Sequence, residues 1–192
     1  MTGAYFSEFP RSVAFIDCTE IKTERPSAFD SQSQCFSDYK SSTTLKGLIA
    51  TDPRGSVMFV SMLFSGCVSD NEICKDSGFF SFLRKLKDKG FLLDGDAIMA
   101  DKGFRIEKDL LDLGLGLNIP PFSFSSSQLT PSEVSETRRI ATHRIHVERA
   151  INRIKKFILI SRKIPVNPFH NINEIWYVCS MLTNFLPTLV KK

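Results

Sequence analysis

Ser12-Val13-Ala14-Phe15-Ile16-Asp17-Cys18-Thr19-Glu20-Ile21-Lys22 decides how this chain is read. Val13 to Ile16 is apolar on both faces, as in a strand central to a sheet that is covered on both sides, and Asp17 continues it directly. An ionised carboxylate in such a strand is very unfavourable without a partner. Two more acids sit where folding alone would not put them. Asp101 ends Ala97-Ile98-Met99-Ala100, and Glu148 lies on a helix face flanked by Ile145 and Ile151.

Each acid needs a counter-charge, and a pair of divalent cations would serve all three. Asp101 and Glu148 also have local explanations. Asp101 could cap the turn before a helix at Ile106, and Glu148 could pair with Arg144 one helical turn back. Asp17 has no comparable explanation. The order Asp, Asp, Glu on two strands and a helix points to phosphodiester chemistry. There two Mg2+ or Mn2+ ions activate the nucleophile and neutralise developing charge, and oxygen ligands suit these hard cations.

Outward from that strand, Pro26 to Lys40 reads as a surface loop. Thr43 to Ala50 and Val57 to Phe64 read as strands joined at Thr51-Asp52-Pro53-Arg54-Gly55, forming a hairpin. Ser69-Asp70-Asn71-Glu72 has capping-box spacing; Asp70 either caps the helix beside Ser69, the favoured reading, or lies near the acid cluster as an auxiliary acid. Phe79 to Lys89 is expected as a helix stopped by Gly90, Asp96 to Asp101 as a short strand, Ile106 to Leu113 as a helix ending at Gly114, and Leu115 to Ile119 as a strand. Phe122 to Gln128 reads as an exposed loop. Thr130-Pro131-Ser132-Glu133 opens a long helix running to about Phe157, with Ile140, Val147, Ile151, Ile154 and Ile158 as its inward stripe. Asn171 to Leu189 is a closing helix carrying Trp176, Tyr177, Met181 and Phe185.

With 192 residues, 42% of them hydrophobic, the chain can build one full-sized core, so a single domain is expected. The net charge of +4 is modest, but Arg138, Arg139, Arg144, Arg149, Arg153, Lys155, Lys156, Arg162 and Lys163 fall in one stretch, which suits a polyanionic partner. Five cysteines, odd in number and without a C-x-x-C pair, fit a reducing compartment. His143 and His146 lack the second ligand pair that zinc would need and read as solvent-facing or hydrogen-bonded structural residues. No signal peptide or membrane-length apolar run is present, so a soluble intracellular protein with no membrane partner is expected.

Five short motifs in order carry a resemblance: Phe15-Ile16-Asp17-Cys18-Thr19-Glu20, Tyr39-Lys40 with Thr43-Thr44-Leu45-Lys46-Gly47, Gly66-Cys67-Val68-Ser69-Asp70, Met99-Ala100-Asp101-Lys102-Gly103-Phe104, and Arg144-Ile145-His146-Val147-Glu148-Arg149. From Val13 to Pro165 the chain resembles the DDE transposase-derived endonucleases of the Harbinger and related insertion-sequence type. The resemblance implies an α/β, ribonuclease-H-like mixed sheet flanked by helices. It places the catalytic domain over residues 1–165, with residues 166–192 as a C-terminal helix packed on it.

It further implies Asp17, Asp101 and Glu148 as metal-binding catalytic residues, a divalent cation (Mg2+ or Mn2+), DNA as partner, and a nuclear location. Charge and position mark Lys40, Lys46, Arg144 and Arg149 as candidate DNA-backbone contacts. Cys18 stands where many relatives have glycine, which leaves the metal ligand itself unchanged. Such relatives usually carry an N-terminal DNA-binding region, so recognition of DNA ends is expected from a separate DNA-binding subunit. Two competing readings remain: a domesticated or truncated copy acting as a non-catalytic DNA- or protein-binding module, and a small-phosphoester hydrolase, which the clustered Arg and Lys argue against.

Overall fold

The computed structural model describes residues 11–24, 36–37, 42–120, 144–165, 171–187 and 189. Strand β1 (Ser12–Lys22) is the centre of the sheet. On one side it pairs antiparallel with β3 (Ser42–Thr51), from Phe15 opposite Thr51 to Lys22 opposite Thr44. On the other it pairs parallel with β6 (Ala97–Met99), but only from Ser12 to Phe15. A bulge at Val13 lets two steps on β1 meet one on β6. Strand β7 (Gly116–Asn118) extends the parallel side, while β2 (Phe36–Ser37), β4 (Val57–Val60) and β5 (Phe64–Ser65) all pair with β3.

Each face of β1 has its own hydrophobic layer. Ala14 and Ile16 pack with Leu48, Ile98, Phe104 and Leu110, and with Ile73 of α1 (Asp70–Asp76) and Phe79 and Leu83 of α2 (Phe79–Asp88). Phe15 and Ile21 pack on the opposite face with Ile49, Met99, three isoleucine or valine side chains of α4 (residues 144–154), and Trp176 of α6 (Ile172–Leu182). Helices therefore flank a mixed sheet on both sides, a ribonuclease-H-like α/β arrangement. No helix among the described residues is long and apolar enough to cross a membrane.

The local chemistry explains most elements. Asp52 makes the hairpin turn by accepting bonds from the N–H groups of Arg54 and Ser56, and Gly55 supplies the positive φ of 85°. Ser69 caps α1 and receives Glu72 in return, a complete capping box. The α3 helix (Glu107–Leu111) follows the turn after β6, with Gly114 (φ 69°) just beyond it.

Four expectations are corrected. The loop reading of Pro26 to Lys40 fails at Phe36 and Ser37, which pair with Thr43 and Ser42; its other residues lie outside the described ones. The expected strand Val57 to Phe64 is interrupted, because at Ser61 the side chain competes with the ladder: its Oγ accepts from Leu48 N and donates to Met62 O. The long helix ends at residue 154, Phe157 is extended, and α5 (Ile158–Ser161) starts anew, so Ile158 is exposed while Ile160 and Ile164 are buried. The start of that helix at Thr130, with Ile140 and the Phe122 to Gln128 loop, lies outside the described residues. The last helix stops at Leu182 and passes into a 3-10 turn (Thr183–Phe185), leaving Phe185 exposed.

That last segment repairs the interrupted edge. Trp176 Nε1 donates to Ser61 O at 3.0 Å, Asn173 Oδ1 accepts from Leu63 N at 2.8 Å, and Asn184 bonds both the N–H and the C=O of Val57. Trp176 also lies against Gly47 of β3, where an added Cβ would stand 3.0 Å from the indole ring. Truncation to Trp176→Ala removes a fully buried side chain, so unfolding in urea should show a loss of about 3–5 kcal/mol; a loss below about 1 kcal/mol would contradict this account of the edge.

Candidate active site

β1 continues past the last residue paired to β6, and Ile164 next meets that side of the chain only at Thr23. Asp17 thus sits on a rigid central strand exactly where one of its edges opens. The parallel register that sets Phe15 beside Met99, carried two residues on, leads to Asp17 and Asp101. Asp101 follows the strand end in a tight turn: its Oδ1 accepts from Lys102 N at 2.8 Å and its carbonyl from Phe104 N. It does not cap α3, whose N-terminal residue Ile106 has no side-chain cap.

Glu148 reaches the same place from α4. Val147, Ile151 and Ile154 bury the inner face of that helix, which sets Arg144 and Glu148 at its margin. Arg144 Nη1 lies 3.2 Å from Asp101 Oδ1, and Nη2 lies 3.9 Å from Glu148 Oε1. Its side chain is only 13% exposed, whereas those of Asp101 and Glu148 are about half exposed. One guanidinium therefore bridges two of the three acids. The ion pair expected as the local explanation of Glu148 exists, but it is shared with Asp101.

Asp17 belongs to the same electrostatic group. Burial pushes its carboxyl up to about 6 from the usual 3.8; Arg144 opposes the rise, and the negative charges of Asp101, Asp70 and Glu148 add to it. Asp70, favoured as a helix cap, is thus one of the charges that Asp17 feels. Ser69 alone caps α1, and the Asp70 carboxylate turns to Lys46 Nζ at 3.2 Å, while Lys46 also donates to Val68 O at 3.0 Å. Asn71 ties the start of α1 to the Asp101 turn by accepting from Arg105 N at 2.6 Å. The capping-box pattern tilted the reading towards the cap, since the same four residues allow both roles; the basic residue on β3 was the available signal.

The other candidates divide. Lys46 is engaged internally, Arg144 lies within the acid group, Arg149 is exposed on α4, and Lys40 and His143 lie outside the described residues. His146 is buried rather than solvent-facing. Lys102 and Arg105, exposed beside Asp101, are further cations that the sequence reading did not single out.

The donors are of one type. Burial raises the Cys18 thiol well above its usual range and the Cys74 thiol to about 12, so neither offers a thiolate. Carboxylate oxygens remain, the ligand type of Mg2+ and Mn2+. As placed here, no three His, Cys, Asp or Glu side chains among the described residues stand close enough to hold an ion. The acids are gathered around Arg144 rather than at a common ligand distance.

The Asp17 shift has a measurable sign. A folded value above the unfolded one means that the proton is held more tightly when folded, so ionised Asp17 opposes folding at pH above about 6 and the penalty vanishes below about 3.8. Without divalent ions, Asp17→Asn should be more stable than the parent by roughly 1–3 kcal/mol at pH 7.5. Thermal melts should show that advantage shrinking towards zero at pH 4; an advantage unchanged with pH would contradict the assignment.

An ordered Asp, Asp, Glu group at the open edge of a ribonuclease-H-like sheet is the arrangement against which the comparisons are set. Comparison with curated proteins and with solved structures found no match. The family model described as DDE superfamily endonuclease matches residues 16–184, a span that takes in all three acids and α6. On this match and this fold, the chain belongs to the DDE superfamily endonucleases.

Proposed function

We propose that this chain is the catalytic domain of a divalent-metal-dependent DNA endonuclease or transposase, with Asp17, Asp101 and Glu148 as the residues that hold Mg2+ or Mn2+. The observation that carries the reading is that acids from β1, from the end of β6 and from α4 meet the field of one cation, Arg144. Their all-oxygen chemistry fits hard divalent ions. Bound there, such ions would activate a water and neutralise charge on the leaving oxygen of a phosphodiester.

The chain's own residues have distinct tasks. Asp17 is fixed by a strand paired at β3, which makes its position the least adjustable of the three. The Lys102 N–H holds one oxygen of Asp101 and so orients the carboxylate. Glu148, half exposed, is the acid of the three that α4 contributes, one turn after Arg144. Arg149, Lys102 and Arg105 are exposed cations suited to DNA phosphates, whereas Lys46 is better suited to anchoring Asp70. A nuclear location is carried over from the family resemblance as part of the same reading.

A second reading, a non-catalytic DNA- or protein-binding module, is favoured by the acids being gathered around a guanidinium rather than at ligand distance. Nicking of supercoiled plasmid separates the two. The parent should nick DNA only with Mg2+ or Mn2+, and Asp101→Asn should lower the rate at least ~100-fold. Equal nicking by parent and variant would sink the assignment, and salt-sensitive binding without cleavage by the parent would favour the second reading.

A further inference from the structure

Arg144 occupies an unusual position for a surface-helix arginine. It contacts acids on two different elements, is largely buried, and its Nε is buried with no hydrogen-bond partner among the described residues. Nη1 approaches Asp101 at 3.2 Å, but Nη2 stands 3.9 Å from Glu148, beyond hydrogen-bonding distance. The guanidinium is thus held mainly by charge, with its directional bonding capacity incompletely used. Charge of that kind can be exchanged for another cation at the same oxygens.

A guanidinium cannot shed its proton to make way, so a divalent ion approaching Asp101 and Glu148 meets a fixed positive charge. Either the ion is kept out or Arg144 withdraws. Among the described residues Arg144 is the cation within ion-pairing distance of Asp101 and Glu148, one positive charge against two carboxylates, so a dication would balance them more fully than the monovalent side chain. We propose that Arg144 is the resident counter-ion of the metal-free site, a positioning residue that keeps Asp101 and Glu148 together until a divalent cation displaces its guanidinium from them. The inference rests on the metal-binding reading above and adds how the chain preserves the site before the ion arrives.

Calorimetric titration of the full chain with Mn2+ tests it. Arg144→Gln should bind Mn2+ about tenfold or more tightly than the parent, because a repelling charge is removed. Without metal the same variant should melt below the parent and recover more than the parent on adding Mn2+. Arg144→Lys, which keeps the charge, should bind within about threefold of the parent. In the parent itself, mass spectrometry after phenylglyoxal treatment should find Arg144 modified slowly without metal and faster at saturating Mn2+. Mn2+ binding by Arg144→Gln that is equal to or weaker than the parent's overturns the exchange, as does Arg144 protection unchanged by Mn2+. Should the Gln variant fail to fold, the labelling of the parent decides alone. Absence of Mn2+ binding by the parent and both variants overturns the metal reading itself, and the exchange with it.

Discussion

The unequal pairing of β1 governs the structure. Along one edge it is bonded to β3 from Phe15 to Lys22, and along the other to β6 only as far as Phe15. The fully paired edge makes the strand rigid, and the half-paired edge leaves a gap at the level of Asp17. A carboxylate can be tolerated in so apolar a strand only where other charges reach it, as Arg144 does here. Asp101 follows from the same constraint, since β6 ends there and the chain must turn.

Electrostatics then decides what covers the gap. Three acids gathered without a cation would repel one another, and the rise in the Asp17 carboxyl shows that burial and like charge already act against its ionised form. Arg144 offsets part of this from α4, one turn before Glu148, so one helix contributes both an acid and its compensation. The arrangement breaks the local folding rule at Asp17 and compensates for it with a residue well over a hundred positions away. Violations of that sort concentrate at functional sites.

The outer edge of β3 shows how much of the fold is long-range. Ser61 interrupts its partner strand, and the backbone groups left at Val57, Ser61 and Leu63 are taken by Asn184, Trp176 and Asn173. Buried polar backbone must be bonded, so the C-terminal helix acts as a substitute for missing ladder. Gly47 allows the indole to lie close to β3, and with it α6 covers the layer beneath Asp17's face. The site therefore depends on a helix that contributes no acid to it.

Most local structure was legible because its causes are local. The capping box at Ser69, the turn at Asp52 and the glycines after α2 and α3 each act within a few residues. Departures came where partners outside the local stretch intervened, as at Ser61, whose Oγ bonds Leu48 and whose carbonyl is taken by Trp176. The two roles open to Asp70 could not be told apart from the sequence for the same reason, since its partner Lys46 is remote in sequence. The sequence by itself determined that Asp17 is out of place, because burial of charge is unfavourable wherever the strand lies, and it set Asp101 and Glu148 in order after it. Only the tertiary structure decided that they share Arg144, because which charges meet depends on where β1 loses its β6 neighbour and how α4 packs across that opening.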